Sequence, residues 1–289
     1  MTVLVGVHGI GQQQRGRHQL LPTWSRAIAD GLERAYGAPV EVPALDIVFY
    51  GDLVWPQRAD GYKSPRLDLG VLEDLDEREL DDLELSAREL VTGQELAAAH
   101  ALPTTKGYSR APRPVNWLMS ALEHRFGAAA VVLFVSEFRQ VRRYLCDPLT
   151  KRGVDQRVRK QVAMECRVLL GHSLGSVVAF EYVRQNPGHQ LDLLLTVGSP
   201  LGLRMVRERM ADPDHGRERV WGMPASVSRW VNVRDVHDPV ACAGDLTKWW
   251  PGVVDRHVTN QADAHNVERY LSKRETGQAI LAAVPGLIS

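Results

Sequence analysis

Cysteine is scarce in this chain of 289 residues. Cys146, Cys166 and Cys242 are odd in number, scattered, and without Cys-X-X-Cys spacing. Such a set argues against both a disulfide framework and a zinc site, and suits reduced thiols in a cytoplasmic protein. Net charge is absent as well, with 35 Lys and Arg against 35 Asp and Glu. A neutral chain offers no electrostatic footprint for nucleic acid as an obligate partner. Long hydrophobic runs are missing: none approaches the ~20 residues a transmembrane helix needs. No basic n-region or cleavage site precedes the first apolar run, so no secretory leader is expected. Internal repeats are not seen. Hydrophobic content of 44% and charged content of 24% are ordinary for a globular protein. The length allows one large α/β domain with an insertion.

What is present is concentrated in a few short stretches. The apolar run Val168 to Leu170 ends in Gly171-His172-Ser173-Leu174-Gly175 and passes into a helix-like run, Ser176 to Gln185, closed by Asn186-Pro187-Gly188. Strand, Gly-X-Ser-X-Gly and helix in that order form the context of a nucleophile elbow. The two glycines let the chain turn hard and the helix pack close to the strand, with the serine hydroxyl raised in front of a helix N-terminus. The plainer reading is a glycine-rich turn with an incidental serine, and the pattern by itself is weak.

A second stretch opens the chain. Thr2 to Val7 is apolar and β-branched, and His8-Gly9-Ile10-Gly11 follows it. A buried strand ending in His-Gly-X-Gly suits a loop that supplies a backbone N–H to an oxyanion. The two donors would be the amides of Ile10 and Leu174, the latter directly after the serine. Losing one such donor typically costs about 3–4 kcal/mol of transition-state stabilisation. The competing reading is a phosphate-binding glycine loop, but neither Gly-X-Gly-X-X-Gly nor Gly-Lys-Ser/Thr follows, so nucleotide binding is poorly supported.

A third stretch supplies acids and bases. Arg229 to Arg234 reads as a strand running into Asp235, His237, Asp238 and Pro239, and Ala264-His265-Asn266 opens a helical run near the C-terminus. A serine nucleophile needs a neutral imidazole to take its proton, and the imidazole needs a carboxylate to hold its tautomer. Serine, aspartate and histidine occur here in the chain order of an α/β-hydrolase triad. His257 lies in an alternating, strand-like segment and His237 in a polar loop; His265, just before the final helix, is the preferred base. Asp235 and Asp238 both remain candidates for the acid. Asp235 is nearer the strand end and has an alternative role in an Asx turn.

On these segments the chain resembles the α/β-hydrolase superfamily, nearest to bacterial lipase- and esterase-like serine hydrolases. The resemblance covers residues 1 to about 50 and about 165 to 285. It implies Ser173 as nucleophile, His265 as base and Asp238 as the preferred acid, with Asp235 its rival. It implies a mostly parallel sheet flanked by helices, with residues 1–51 and 161–289 forming the core. Residues 52–160 match nothing named and are expected to form a helical cap. The implied activity is cleavage of a carboxylic ester, in a lipid or small molecule, through an acyl-serine with no metal or organic cofactor. A thioesterase or acyltransferase would use the same triad, and a catalytically silent interaction module is the alternative outside enzymology.

Within the insertion, residues 68–91 are acidic and leucine-spaced, 103–114 is a proline-bearing connector, and 115–145 is helix-like with a very apolar stretch from Ala128 to Val135. A basic segment covers 139–160. The apolar stretch reads most simply as a buried helix; the sharper alternative is a lid lining an acyl pocket or touching a lipid surface. The acidic and basic segments could pair within the cap. Trp249-Trp250-Pro251 reads as a loop anchor, and Gly198-Ser199-Pro200 as a turn that places Leu201 and Leu203 near the cleft.

Overall fold

The computed structural model describes residues 4–9, 15–54, 72, 75–101, 112–210 and 222–287. Within them six strands, β1 (Leu4–Val7), β2 (Leu45–Val48), β3 (Val168–His172), β4 (Leu193–Val197), β5 (Trp230–Asp235) and β6 (Val253–Val258), form one sheet. Its order is β2-β1-β3-β4-β5-β6, and every pair is parallel. The helices are α1 (Arg17–Tyr36), α2 (Gly51–Val54), α3 (Glu77–Leu90), α4 (Gly93–Ala101), α5 (Arg113–Phe126), α6 (Ala128–Cys146), α7 (Pro148–Gln161), α8 (Leu174–Gln185), α9 (Arg204–Arg209), α10 (Val267–Leu271) and α11 (Arg274–Ala283). The expected α/β class and parallel sheet are therefore present.

The central strands β1, β3 and β4 are apolar at nearly every position because both faces of the sheet are covered there. Leu4, Val168, Leu170, Leu193, Leu195, Val231 and Val233 pack with α1, α10 and α11 on one face. Their alternates Val5, Leu169, Leu194 and Trp230 pack on the other, with α8 and the helices of the insertion. Successive side chains of a strand point to opposite faces, so a continuous apolar run feeds two cores at once. The second strand is short, Leu45–Val48.

The insertion helices share the second of these cores. Val131, Val132, Phe134 and Val135 are buried, so the apolar stretch faces the core from Val131 onward, while Ala128 and Ala129 at the start of α6 are exposed. The 115–145 region is two helices, broken at Gly127. The acidic helix α3 starts with a capping box, Asp76 and Glu79 serving each other's backbone N–H. It pairs with basic side chains of α6 and α9: Asp82 bridges Arg142 at 2.8 Å and Arg209 at 2.7 Å. Lys151 of α7 reaches Glu181 of α8 at 2.8 Å, which ties these two helices together. Leu69 and most of the 103–114 connector lie outside the described residues.

The strand order places the site. From β1 the chain goes to β2 on one side, and β3 lies on the other, so the direction of strand addition reverses between β1 and β3. In open parallel sheets ligands bind in the crevice at the carboxyl ends of strands flanking such a reversal. His8 and Gly9 follow β1 there, and Ser173 follows β3. Among the described residues no helix is long and apolar enough to cross a membrane.

Candidate active site

The turn after β3 is built around a strained residue. Ser173 has φ 53° and ψ −128°, a region non-glycine residues rarely occupy. Such a conformation costs on the order of 1–3 kcal/mol and persists only when its surroundings impose it. They do so from three sides. The Ser173 N–H donates to the Val197 carbonyl of β4 at 3.2 Å. Its carbonyl accepts from the Ser176 N–H at 2.9 Å and the Ser176 hydroxyl at 2.6 Å. From the third side α8 presses onto β1 at Gly175, where a Cβ would stand 2.0 Å from the Val7 carbonyl oxygen. Gly171 is the fourth residue of β3.

The loop after β1 closes against this turn. A Cβ on Gly9 would meet the Ser173 Cβ at 2.7 Å, so only glycine lets the loop pass so near the hydroxyl. His8 holds the loop by its ring. Its Nδ1–H donates to the Gly9 carbonyl at 2.6 Å, and its Nε2 accepts the Tyr50 N–H at 3.2 Å. The ring stacks on Tyr50 at 4.4 Å. Burial lowers the His8 pKa to about 4, consistent with these neutral-imidazole bonds. The Leu174 N–H opens α8, where no carbonyl four residues back lies in the helix to accept from it. Ile10, the other candidate oxyanion donor, lies outside the described residues.

Two aspartates follow β5, and the structure gives them different work. Asp238 is buried and its carboxylate accepts from His265 Nδ1 at 2.9 and 2.8 Å. It also accepts from the Val240 N–H at 2.8 Å and the Tyr270 hydroxyl at 2.7 Å. Asp235 does not face His265; it accepts from the backbone N–H groups of His237 and Asn260 and fixes the turn. His237 is largely exposed and leans on Asp235. His257 is an exposed residue of β6.

His172 reaches across to the same histidine. Its Nε2–H donates to the His265 carbonyl at 3.0 Å, and the rings lie 4.7 Å apart. Burial and then the His265 charge push the His172 pKa down to about 3, so it stays neutral. Tyr270, five residues beyond His265, joins both aspartate segments: its hydroxyl donates to Asp238 and accepts from the Asp235 N–H at 2.9 Å. Tyr270→Phe would leave that buried N–H without a partner. We expect a stability loss of about 1–3 kcal/mol, read from the urea midpoint at unchanged slope.

One carboxylate in the site escaped the sequence reading. Glu137 of α6 is 4% exposed and accepts a hydrogen bond from the Ser173 hydroxyl through Oε2. Its Oε1 lies 3.7 Å from His265 Nε2, ion-pair range but longer than a hydrogen bond. His265 Nε2 has no hydrogen-bond partner among the described residues, so the serine hydroxyl is held by Glu137 and not by the imidazole. Burial works to lower the His265 pKa, but Asp238 and Glu137 together hold it up at about 10. A signal for Glu137 exists in the sequence: Phe134, Glu137, Phe138 and Val141 share one helical face, and the only charge on it is this one.

Beside Asp238, Pro239 and Cys242 meet Leu122, Phe126, Val131 and Phe134 along a narrow apolar seam. Trp250 is buried and donates through its indole N–H to the Leu201 carbonyl at 3.0 Å, which anchors its loop. Leu201 and Leu203 are buried too, in the core shared with the insertion helices. The three cysteines are unpaired. Among the described residues no group of three or more His, Cys, Asp and Glu is arranged to hold a metal ion. No family model matches this chain, and no curated protein or solved structure is significantly similar to it.

Proposed function

We propose that this chain is a serine hydrolase of the α/β-hydrolase kind that cleaves a carboxylic ester through an acyl-serine intermediate. The observation that carries the reading is a strained, buried Ser173 at the strand–helix turn, in one site with a carboxylate-bonded histidine. Ser173 attacks the ester carbonyl as His265 Nε2 takes its proton. Asp238 holds the imidazole through Nδ1 and stabilises the cation that forms. The Leu174 N–H, with that of Ile10, receives the oxyanion. His265 then protonates the departing alcohol, and water activated by the same imidazole releases the acid. Neither metal nor organic cofactor takes part in these steps.

The substrate class we propose is a carboxylic ester, in a lipid or a small molecule. Transfer to water, a thioester substrate and transfer to another acceptor share these groups, and contact of the insertion with a lipid surface is a further part of this proposal. The test is a fluorophosphonate probe with the adduct located by mass spectrometry. We expect modification of Ser173, none in Ser173→Ala, and labelling at least 100-fold slower in His265→Ala. Absence of an adduct at Ser173 in both the folded wild type and a folded Glu137→Ala variant overturns the reading and leaves an inactive interaction module.

A further inference from the structure

We infer that Glu137 occupies a carboxylate-binding subsite of the reaction centre, where it acts as a built-in product analogue and holds the site off until α6 yields. The inference rests on the serine hydrolase reading. Hydrolysis of an acyl-serine leaves a carboxylic acid beside the serine hydroxyl and the imidazole that delivered the water. Glu137 presents a carboxylate to those same two groups, one oxygen accepting from Ser173 and the other 3.7 Å from His265 Nε2. Ser173 is fully buried and the His265 side chain is 10% exposed, so covering groups must move before a substrate reaches the hydroxyl, and Glu137 is bonded to it directly.

Geometry and charge act in the same direction. The hydroxyl proton points at Glu137, so the serine cannot pass it to His265. Among the described residues, the groups facing the imidazole are Asp238 from the loop after β5, Glu137 from α6 and His172 from the end of β3, with Tyr270 of α10 bonded behind Asp238. Two of these are anions and His172 is neutral, so His265 is a cation at neutral pH and cannot serve as a base. Glu137 also faces Tyr50, whose hydroxyl it helps to keep protonated after burial has done most of the work. A substrate that displaces Glu137 removes one of the two anions and lowers the histidine toward the range of a working base.

The test compares fluorophosphonate labelling of the wild type, Glu137→Ala and Glu137→Gln from pH 6 to 10, with folding checked by circular dichroism. Glu137→Ala is expected to label at least about tenfold faster than the wild type at pH 7, with the gap closing toward pH 10. Glu137→Gln, which keeps the bulk and removes the charge, shifts the rise in labelling to lower pH. Added butyrate at millimolar concentration should protect Ser173 in Glu137→Ala and leave the wild-type rate unchanged. Wild-type rates and pH profile in both folded variants would overturn the inference while the serine hydrolase stands, as would butyrate protection equal in Glu137→Ala and wild type. Absence of any adduct, in wild type and variants alike, overturns the inference and the hydrolase reading together.

Discussion

Asp238→Asn is expected to lower kcat/KM for an ester such as p-nitrophenyl butyrate by about 10³–10⁴-fold, while the fold survives. The carboxylate accepts four kinds of hydrogen bond at once: His265 Nδ1, the Tyr270 hydroxyl and the N–H groups of Val240 and Ala241. An amide in its place has one acceptor oxygen. The amide nitrogen would have to face a donor, and the cheapest adjustment is for His265 to move its proton to Nε2, the nitrogen that must take the serine proton. Asp235→Asn has a different consequence. That carboxylate serves backbone N–H groups of His237 and Asn260 in a buried turn. Its loss should cost about 1–3 kcal/mol of stability and leave kcat/KM of the folded variant within tenfold of wild type. Equal kinetic losses in the two variants would remove the distinction between the acids.

Gly175→Ala should produce the largest loss of stability of any single methyl group added near the site, about 3 kcal/mol or more. The added carbon would stand 2.0 Å from the Val7 carbonyl oxygen and 2.6 Å from that of His8. Both are backbone atoms at the end of β1, so no side-chain rotation relieves the clash; α8 has to lift from the sheet. The same movement would carry the Leu174 N–H away from Ser173. Gly188→Ala is the control, because nothing lies within 4 Å of its new methyl group, and it should fall within about 0.5 kcal/mol of wild type. Urea unfolding at constant slope measures both. A Gly175→Ala chain as stable as Gly188→Ala would show that the helix is not pinned to β1.

The pattern of strands was legible because burial on both faces leaves a one-dimensional mark. Val168 to Leu170 is apolar without a break and Leu193 to Val197 is apolar but for Thr196, and glycine follows each run. The turn at Ser173 was legible for a similar reason. Its constraints are local: two glycines at fixed offsets, a strand before and a helix after. The broken helix of residues 115–145 was less legible, since Gly127 interrupts an apolar periodicity that continues on both sides of it.

The acid was a different problem. Asp235 and Asp238 are three residues apart in one loop, and either could reach a histidine in a polar turn. The direction of the chain after β5 separates them, and no local sequence signal specifies it. Tyr270 gave no signal as a partner of Asp238, because a tyrosine in a short amphipathic helix reads as core. Glu137 left a faint mark, one charge on an otherwise apolar helical face, but that pattern does not say what lies opposite.

The sequence by itself determined the alternation of strand and helix, the sharp turn at Ser173, and the order in which serine, acids and histidine follow one another. These depend on residues within a few positions of each other, where backbone sterics and burial periodicity act directly. Tertiary structure alone decided that His265 meets Asp238, that Asp235 is spent on a turn, and that Glu137 reaches Ser173. Those three contacts join residues 27 to 36 positions apart or depend on which way one loop faces. The packing of α6 and of the loop after β5 over the ends of β1 and β3 sets them, and such packing is a property of the whole core.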